Sequence, residues 1–138
     1  MKTEDRLPVT MLFLRLSVFL VIFLWTLDKF LHPQHASAIY QKFYFISGLG
    51  DSAFFAIGAV EMVLLAGFVV GFQKRITYGA ILLFHAVSTL SSFRQYLAPF
   101  ESANLLFFAA WPMLAAAFAL YYLRDFDVLW VVDKPRAT

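Results

Sequence analysis

The sequence contains no cysteine and few charged residues among its 138 positions. Without cysteine the chain cannot form a disulfide, a CxxC redox relay, a thiolate metal site or an iron–sulfur cluster. Charged residues make up 14% of the chain, whereas they make up about 25% of a typical soluble domain. The formal net charge of +2 is too small to indicate nucleic acid as a partner.

Apolar residues are correspondingly abundant, at 62% of the chain against about 45–50% in soluble domains. A small domain has too much surface to hide that many apolar side chains in a core. The sequence has no strand-like alternation, and within lipid only helices and closed barrels satisfy the backbone. The composition therefore predicts one all-α membrane domain with the lipid bilayer as its main partner.

Four apolar segments are long enough to cross a membrane, which takes about 20 residues for a hydrocarbon core about 30 Å thick. They run roughly over residues 11–31, 51–72, 76–97 and 104–123. The aromatic stretch 37–47 is too short to span and suits the outer membrane–water interface. Residues 124–138 form a tail that we expect to rest on the cytoplasmic surface.

Basic residues predict the orientation of these segments. Lys74 and Arg75 lie in a short turn between the second and third segments, which makes those two helices antiparallel. The same side of the membrane then carries Lys2, Arg6, Arg124, Lys134 and Arg136, and the opposite side carries Lys29, Lys42 and Arg94. We expect an antiparallel bundle of four transmembrane helices with both termini cytoplasmic.

Glu61 and His85 are the most informative polar residues, because an ionisable side chain at the bilayer centre costs about 2.5–3.5 kcal/mol. Counting from the turn, both reach about the same depth, on adjacent helices. Gly58 leaves space on the face of Glu61. We expect the two side chains to meet and to handle protons as catalytic groups. In the alternative interpretation they only lock the bundle, by bonding each other or Ser88.

The substrate that suits such a pair is a quinol, which releases two protons as it gives up two electrons. Its ring needs aromatic walls and its oxygens need polar partners. We expect Lys29 or Arg94 to polarise a carbonyl oxygen. The full set of expected substrate-binding residues is Lys29, Arg94, Ser88, Trp25 and Trp111.

Three other charged residues, Arg15, Asp28 and Arg75, are assigned structural or ion-pair roles. Arg15 lies about one turn inside the cytoplasmic boundary, where its side chain is expected to extend to the lipid headgroups. Asp28 is four residues from His32 and can pair with it.

No metal or haem site is expected. His32 and His35 are the weak alternative for a metal, but they flank Pro33 and share no defined helix face. A bis-histidine haem needs two deep histidines, and only His85 is deep. No iron–sulfur or flavin site is evident either, so a redox role would require a partner subunit.

Several motifs, in order, resemble the DoxX family of membrane proteins. Arg15 begins an apolar run that ends in Leu27-Asp28-Lys29, similar to the "R…G..K" opening of that family. Gly58 and Glu61 follow, then the turn 71–75 (GFQKR), which resembles the family's "GF.TR", and Asn104 before the last apolar segment. The resemblance covers about residues 12–123.

This resemblance implies a four-helix inner-membrane protein. Members of the family are described as quinol-linked. One looks like the small subunit of a thiosulfate:quinone oxidoreductase, and others are linked to oxidative-stress complexes. The positions that match are Arg15, Lys29, Glu61 and Arg75.

Two functions are consistent with these features. The first is a quinone-linked subunit of a respiratory-chain oxidoreductase, which binds quinone or quinol and relies on a redox partner. The second is a non-catalytic scaffold or assembly subunit of a larger membrane complex, in which the polar groups are packing locks. The expected protein partners are other subunits of a membrane complex or further copies of this chain. Small-molecule transport is a weaker third possibility, since transporters usually have more helices or inverted repeats.

Overall fold

Every regular element in residues 2–133, the part of the chain that the computed structural model describes, is a helix. The α-helices are α1 (Thr3–Leu31), α2 (Pro33–Tyr44), α3 (Asp51–Val69), α4 (Lys74–Ser91), α5 (Phe93–Leu97) and α6 (Ala110–Tyr122), with 3₁₀ turns at Asn104–Ala109 and Arg124–Phe126. The all-helical fold is thus confirmed. Lys134 and Arg136 of the expected cytoplasmic charge cluster lie outside the described residues.

Three helical stretches are long and apolar enough to cross a membrane. They are α1, α3 and the continuous run Asn104–Tyr122, which joins a 3₁₀ turn to α6. Large apolar side chains are exposed along all three, among them Phe13, Val63 and Leu106. These surfaces suit a lipid environment, where an apolar exterior is solvated by acyl chains.

The helices found for the first apolar segment and for the interfacial stretch begin at other residues than predicted. Helix α1 begins eight residues before the apolar run at 11–31, because acidic residues in a first turn favour the helix dipole and need no lipid. The interfacial stretch predicted at 37–47 is helical through Tyr44. The helix that forms there, α2, begins at Pro33, since proline at the first helical position has its φ preset and loses no hydrogen bond.

The later two segments are subdivided. The segment predicted at 76–97 is broken at Ser92, so that α4 ends at Ser91 and the short α5 follows. The segment predicted at 104–123 opens as a 3₁₀ turn and becomes α-helical at Ala110. Pro112 then lies in the first turn of α6, where its missing N–H breaks no bond.

The four longest helices, α1, α3, α4 and α6, pack against one another in a closed ring. Helix α1 packs against α3 and α6, and α4 packs against the same two helices, while α2 contacts one end of α1, α3 and α4. The apolar core contains Val18, Leu65, Phe68, Ile81 and Leu120. Polar side chains are also buried inside the ring, and some of them line the candidate functional site.

Two glycines allow the close approach of α3 to its neighbours. A Cβ on Gly67 would lie 2.8 Å from the Thr77 methyl carbon, so the α3–α4 contact requires glycine. A Cβ on Gly58 would lie 2.8 Å from the Phe30 ring. The free space expected beside Gly58 is therefore absent, because the Phe30 ring fills it.

The chain after α6 returns to the turn between α3 and α4. The Val132 N–H donates to the Val70 carbonyl at 2.8 Å, and the Asp133 N–H donates to the Gly71 carbonyl at 3.2 Å. The tail expected on the membrane surface is thus held by backbone hydrogen bonds at the end of the bundle.

Candidate functional site

A small cavity, here called the polar cavity, lies between α1, α3 and α4 and is bordered by Tyr44 of α2. Its volume is about 80 Å³. The lining residues are Ile22, Trp25, Thr26, Lys29, Tyr44, Glu61, Phe84, His85 and Ser88. Five residues predicted from the sequence as catalytic or substrate-binding therefore border one space: Glu61, His85, Lys29, Ser88 and Trp25.

Glu61 is paired with Lys29. The Lys29 Nζ lies 2.9 Å from Glu61 Oε2, and the two side chains are only 13% and 18% exposed. The Thr26 hydroxyl donates to the same carboxylate oxygen at 3.2 Å. Because both contacts reach Oε2, Oε1 is left for other donors. The carboxylate charge is thus balanced within the cavity wall, as an ion pair in low dielectric requires.

His85 is held by α6 and α1. Its Nε2 lies 2.9 Å from the Ala110 carbonyl oxygen. Its ring stacks on Trp25 with centroids 6.0 Å apart. The residue is 2% exposed, and its Nδ1 is buried with no hydrogen-bond partner among residues 2–133.

The expected contact between Glu61 and His85 is not formed: no hydrogen bond or ion pair within residues 2–133 joins them. Each has a partner on another helix, Lys29 of α1 for Glu61 and Ala110 of α6 for His85. Equal depth brought the two residues to one cavity, but neighbouring groups with better geometry bind each of them.

Two predicted substrate-binding residues lie elsewhere. The Arg94 guanidinium covers the Phe45 and Phe93 rings at 5.2 and 5.8 Å, an arrangement typical of cation–π contacts. Trp111 lines a separate, open groove of about 370 Å³ together with Leu82, Leu114, Ala115 and Phe118. Neither side chain borders the polar cavity.

A second polar cluster, centred on Arg15, lies at the opposite end of the bundle. Arg15 and Asp127 are both completely buried, with Nη1 3.0 Å from Oδ2. The Tyr78 hydroxyl donates to the same Oδ2 at 2.7 Å. The expectation that Arg15 extends to the lipid headgroups is wrong, because Asp127 offers it a charged partner inside the bundle.

Backbone carbonyls complete this cluster. Arg15 Nη2 donates to the Leu129 and Trp130 carbonyls at 2.7 and 3.2 Å. The Lys74 Nζ donates to the Asp127 carbonyl at 2.6 Å. The cluster thus fastens the tail to α1 and α4. Arg75, the third residue assigned a structural role, is exposed on α4.

Asp28 contacts two histidines at the junction of α1 and α2. Its two carboxylate oxygens contact Nδ1 of His32 at 2.9 Å and Nδ1 of His35 at 2.5 Å. Both imidazoles are largely exposed. Within residues 2–133 no group of three or more His, Asp or Glu side chains is arranged to hold a metal ion.

Sequence reasoning missed Thr26, Tyr44, Tyr78 and Asp127. Thr26 had a usable signal, since it precedes Lys29 by three residues and so shares its helix face. Asp127 had a weaker one, an acid in the tail that balances an intramembrane arginine. Nothing local to Tyr44 or Tyr78 distinguishes them from other aromatic residues of the chain.

Comparison with known proteins gives no relative from which a function can be transferred. No family model, curated protein or solved structure matches this chain. The function is therefore argued from the geometry of the cavity and from the membrane character of the helices.

Proposed function

We propose that this chain is a DoxX-like inner-membrane protein with four spans, whose polar cavity binds the head group of a quinol or quinone. It would act as the quinone-binding subunit of a membrane oxidoreductase complex. The observation that carries the proposal is the Lys29–Glu61 ion pair, which borders the same cavity as His85. Ionisable groups inside a membrane are expensive and are usually kept for function.

Helix α4 is proposed as the fourth span, alongside the three stretches with clear apolar character. Its 18 residues extend over about 27 Å, close to the thickness of the hydrocarbon core. It buries Tyr78, His85 and Thr89 while it exposes Leu83 and Leu90. Polar side chains that face inward lower its mean hydropathy, and apolar side chains that face outward suit lipid.

The distribution of basic residues supports cytoplasmic termini. Lys74 at the start of α4 donates to the Arg124 and Asp127 carbonyls after α6, so the α3–α4 turn and the chain after α6 share one end. Lys29, Lys42 and Arg94 belong to the other end. By the positive-inside rule the end with more Lys and Arg faces the cytoplasm.

The cavity supplies complementary groups for the two oxygens of a quinol or quinone. Lys29 is a donor for a carbonyl oxygen, and Glu61 and His85 are acceptors for hydroxyl protons. Oxidation of a quinol releases two protons and two electrons. The protons pass to these acceptors, and the electrons pass to a flavin-, haem- or metal-bearing partner subunit.

The volume of the cavity sets a condition on binding. An engineered cavity of about 150 Å³ binds benzene, and this one measures about 80 Å³. A quinone ring therefore enters only if a wall moves. Trp25 is the candidate, because it borders the cavity while half of its surface is exposed.

Fluorescence of Trp25 can test the proposal. In the Trp111→Phe/Trp130→Phe background, Trp25 is the one remaining tryptophan of the three in the sequence. The protein in lipid nanodiscs is titrated with a short-chain benzoquinone, with empty nanodiscs as the partition control. We expect saturable quenching that is weakened about tenfold or more in Lys29→Met/Glu61→Gln, a double variant that leaves no orphaned charge.

Val87→Ala is the matched control, because Val87 is on α4 near His85 but is exposed to lipid. Its quenching curve should follow the parent protein. Quenching that does not saturate, or that is equal in the double variant, would contradict the proposal.

The small volume also favours a second candidate, a non-catalytic scaffold subunit. If the chain is a scaffold, native purification of the parent protein would recover its partner subunits. Purification of Lys29→Met/Glu61→Gln would not recover them. Saturable benzoquinone binding would be absent. An intact complex that loses quinone binding in the double variant supports the first candidate.

A further inference from the structure

The two ring nitrogens of His85 have different environments. Nε2 lies 2.9 Å from the Ala110 carbonyl oxygen, and Nδ1 is buried without a partner in the described part of the chain. A carbonyl oxygen can only accept a hydrogen bond, so Nε2 carries the hydrogen. Whether Nδ1 carries a hydrogen as well is decided by the groups around it.

The surroundings favour a neutral ring. An imidazolium would add a buried N–H at Nδ1 with no acceptor and a charge with no acid partner. The two carboxylates nearest the bundle interior are already paired, Glu61 with Lys29 and Asp127 with Arg15. Nδ1 is therefore an unprotonated nitrogen with a free lone pair, which is a hydrogen-bond acceptor.

Three of the donors near His85 are engaged elsewhere. The Thr26 hydroxyl donates to Glu61, and the Lys29 ammonium pairs with the same carboxylate. The Thr89 hydroxyl donates to the His85 carbonyl of its own helix at 2.7 Å. A buried acceptor left without a donor destabilises the folded protein, and a donor that enters the cavity can recover part of that free energy.

We propose that the polar cavity selects ligands that present a hydroxyl donor, so that it binds a quinol or phenol more tightly than the matching quinone or ether. This inference rests on the proposed function and specifies which form of the ligand is preferred. Once Trp25, which stacks on the His85 ring, has moved, His85 Nδ1 and Glu61 Oε1 are the two acceptors that a hydroxylated ring would meet. A quinone offers only carbonyl acceptors and can pair with neither.

A pair of probes without redox chemistry isolates this preference. A 4-alkylphenol and its methyl ether differ in one hydroxyl hydrogen, so their binding ratio reports the donor alone. We expect the phenol to bind the protein in nanodiscs about threefold to tenfold more tightly than the ether, after correction for partition into empty nanodiscs. The readout is the quenching of Trp25 in the two-substitution background described above.

Two variants of His85 assign the preference to its ring. His85→Phe keeps an aromatic ring but removes the acceptor, and the phenol-to-ether ratio should fall to about one. His85→Gln keeps both an acceptor and a donor, and it should restore part of the ratio. Val87→Ala should leave the ratio unchanged.

A measurement on the parent protein keeps the test valid if His85→Phe fails to fold. In ¹⁵N-histidine-labelled protein, the His85 Nδ1 resonance should be that of an unprotonated nitrogen and should move upfield when the phenol binds. A proton found on Nδ1, or equal binding of phenol and ether, would overturn the inference. If a benzoquinone binds but shows no disadvantage, the inference fails and the proposed function stands; if neither probe nor benzoquinone binds, both fail.

Discussion

Arg15 of α1 and Asp127, 112 positions later in the sequence, form an ion pair at 3.0 Å in which both side chains are fully buried. The pair closes the end of the bundle where α1, α4 and the tail meet. A buried pair of this kind need not add net stability, but loss of one partner leaves an uncompensated charge.

Asp127→Asn should therefore lower the free energy of unfolding by about 3–5 kcal/mol, since the Arg15 charge remains inside. The double variant Arg15→Met/Asp127→Leu should lose less stability than either of its single variants, Arg15→Met or Asp127→Leu. The measurement is reversible denaturant unfolding in mixed micelles. Arg75→Gln, at an exposed position of α4, is the control and should unfold like the parent. A double variant at least as unstable as both single variants summed would argue against coupling.

Gly71 links the α3–α4 turn to the tail. It has a φ of +64°, and a Cβ there would lie 2.5 Å from a methyl carbon of Val131. Gly71→Ala adds left-handed strain of about 1–2 kcal/mol and overpacking of about 1–3 kcal/mol. Gly48→Ala is matched to it, because Gly48 has a φ of +79° and no atom within 4 Å of its Cβ position. Thermal unfolding should place Gly71→Ala clearly below Gly48→Ala, and equal midpoints would show that the tail does not pack there.

The α3–α4 contact can be tested with a compensating pair of substitutions. Gly67→Ala places a Cβ 2.8 Å from the Thr77 Cγ2, and it should destabilise the protein by about 1–3 kcal/mol. Thr77→Ser removes that methyl group and retains the hydroxyl that donates to the Phe72 carbonyl at 3.0 Å. In Gly67→Ala/Thr77→Ser most of the stability should return. Additive losses in thermal unfolding would rule out this contact as the cause.

Four spans with cytoplasmic termini give a definite pattern of reporter activity. Alkaline phosphatase, which is active only outside the cytoplasm, should be active when it is fused after Gly48 or Ser102. It should be inactive when it is fused after Gln73 or Asp133. An active fusion after Gln73 would contradict the proposed crossing by α3 or the orientation.

The sequence predicted the helical fold because long apolar runs without alternation have no other stable form in lipid. It placed the ends of helices less well. The break at Ser92 and the early start of α1 at Thr3 depend on backbone hydrogen bonds and caps, and an apolar run does not encode either. The four-span topology stays a prediction that the phosphatase fusions test.

Depth along a helix was also readable from the sequence, since it follows from the rise per residue. Equal depth brought Glu61 and His85 to one cavity, whereas Lys29, which was expected near the outer end, reaches the same cavity through its ion pair with Glu61. Depth did not predict their partners, which depend on helix rotation and on groups from α1 and α6. Arg94 and Trp111 failed as predicted cavity residues for the same reason: each packs against aromatic or apolar side chains from other elements.

By itself the sequence determined that the chain is helical, apolar on its surface and furnished with a few ionisable groups along its apolar segments. These properties follow from composition and from the cost of unpaired backbone and charge in lipid. Only the tertiary structure decided that Lys29 pairs with Glu61, that Asp127 pairs with Arg15 and that Nδ1 of His85 has no partner within residues 2–133. Each of those outcomes is a choice among several nearby partners, and that choice is made by helix packing, which brings together residues far apart in the chain.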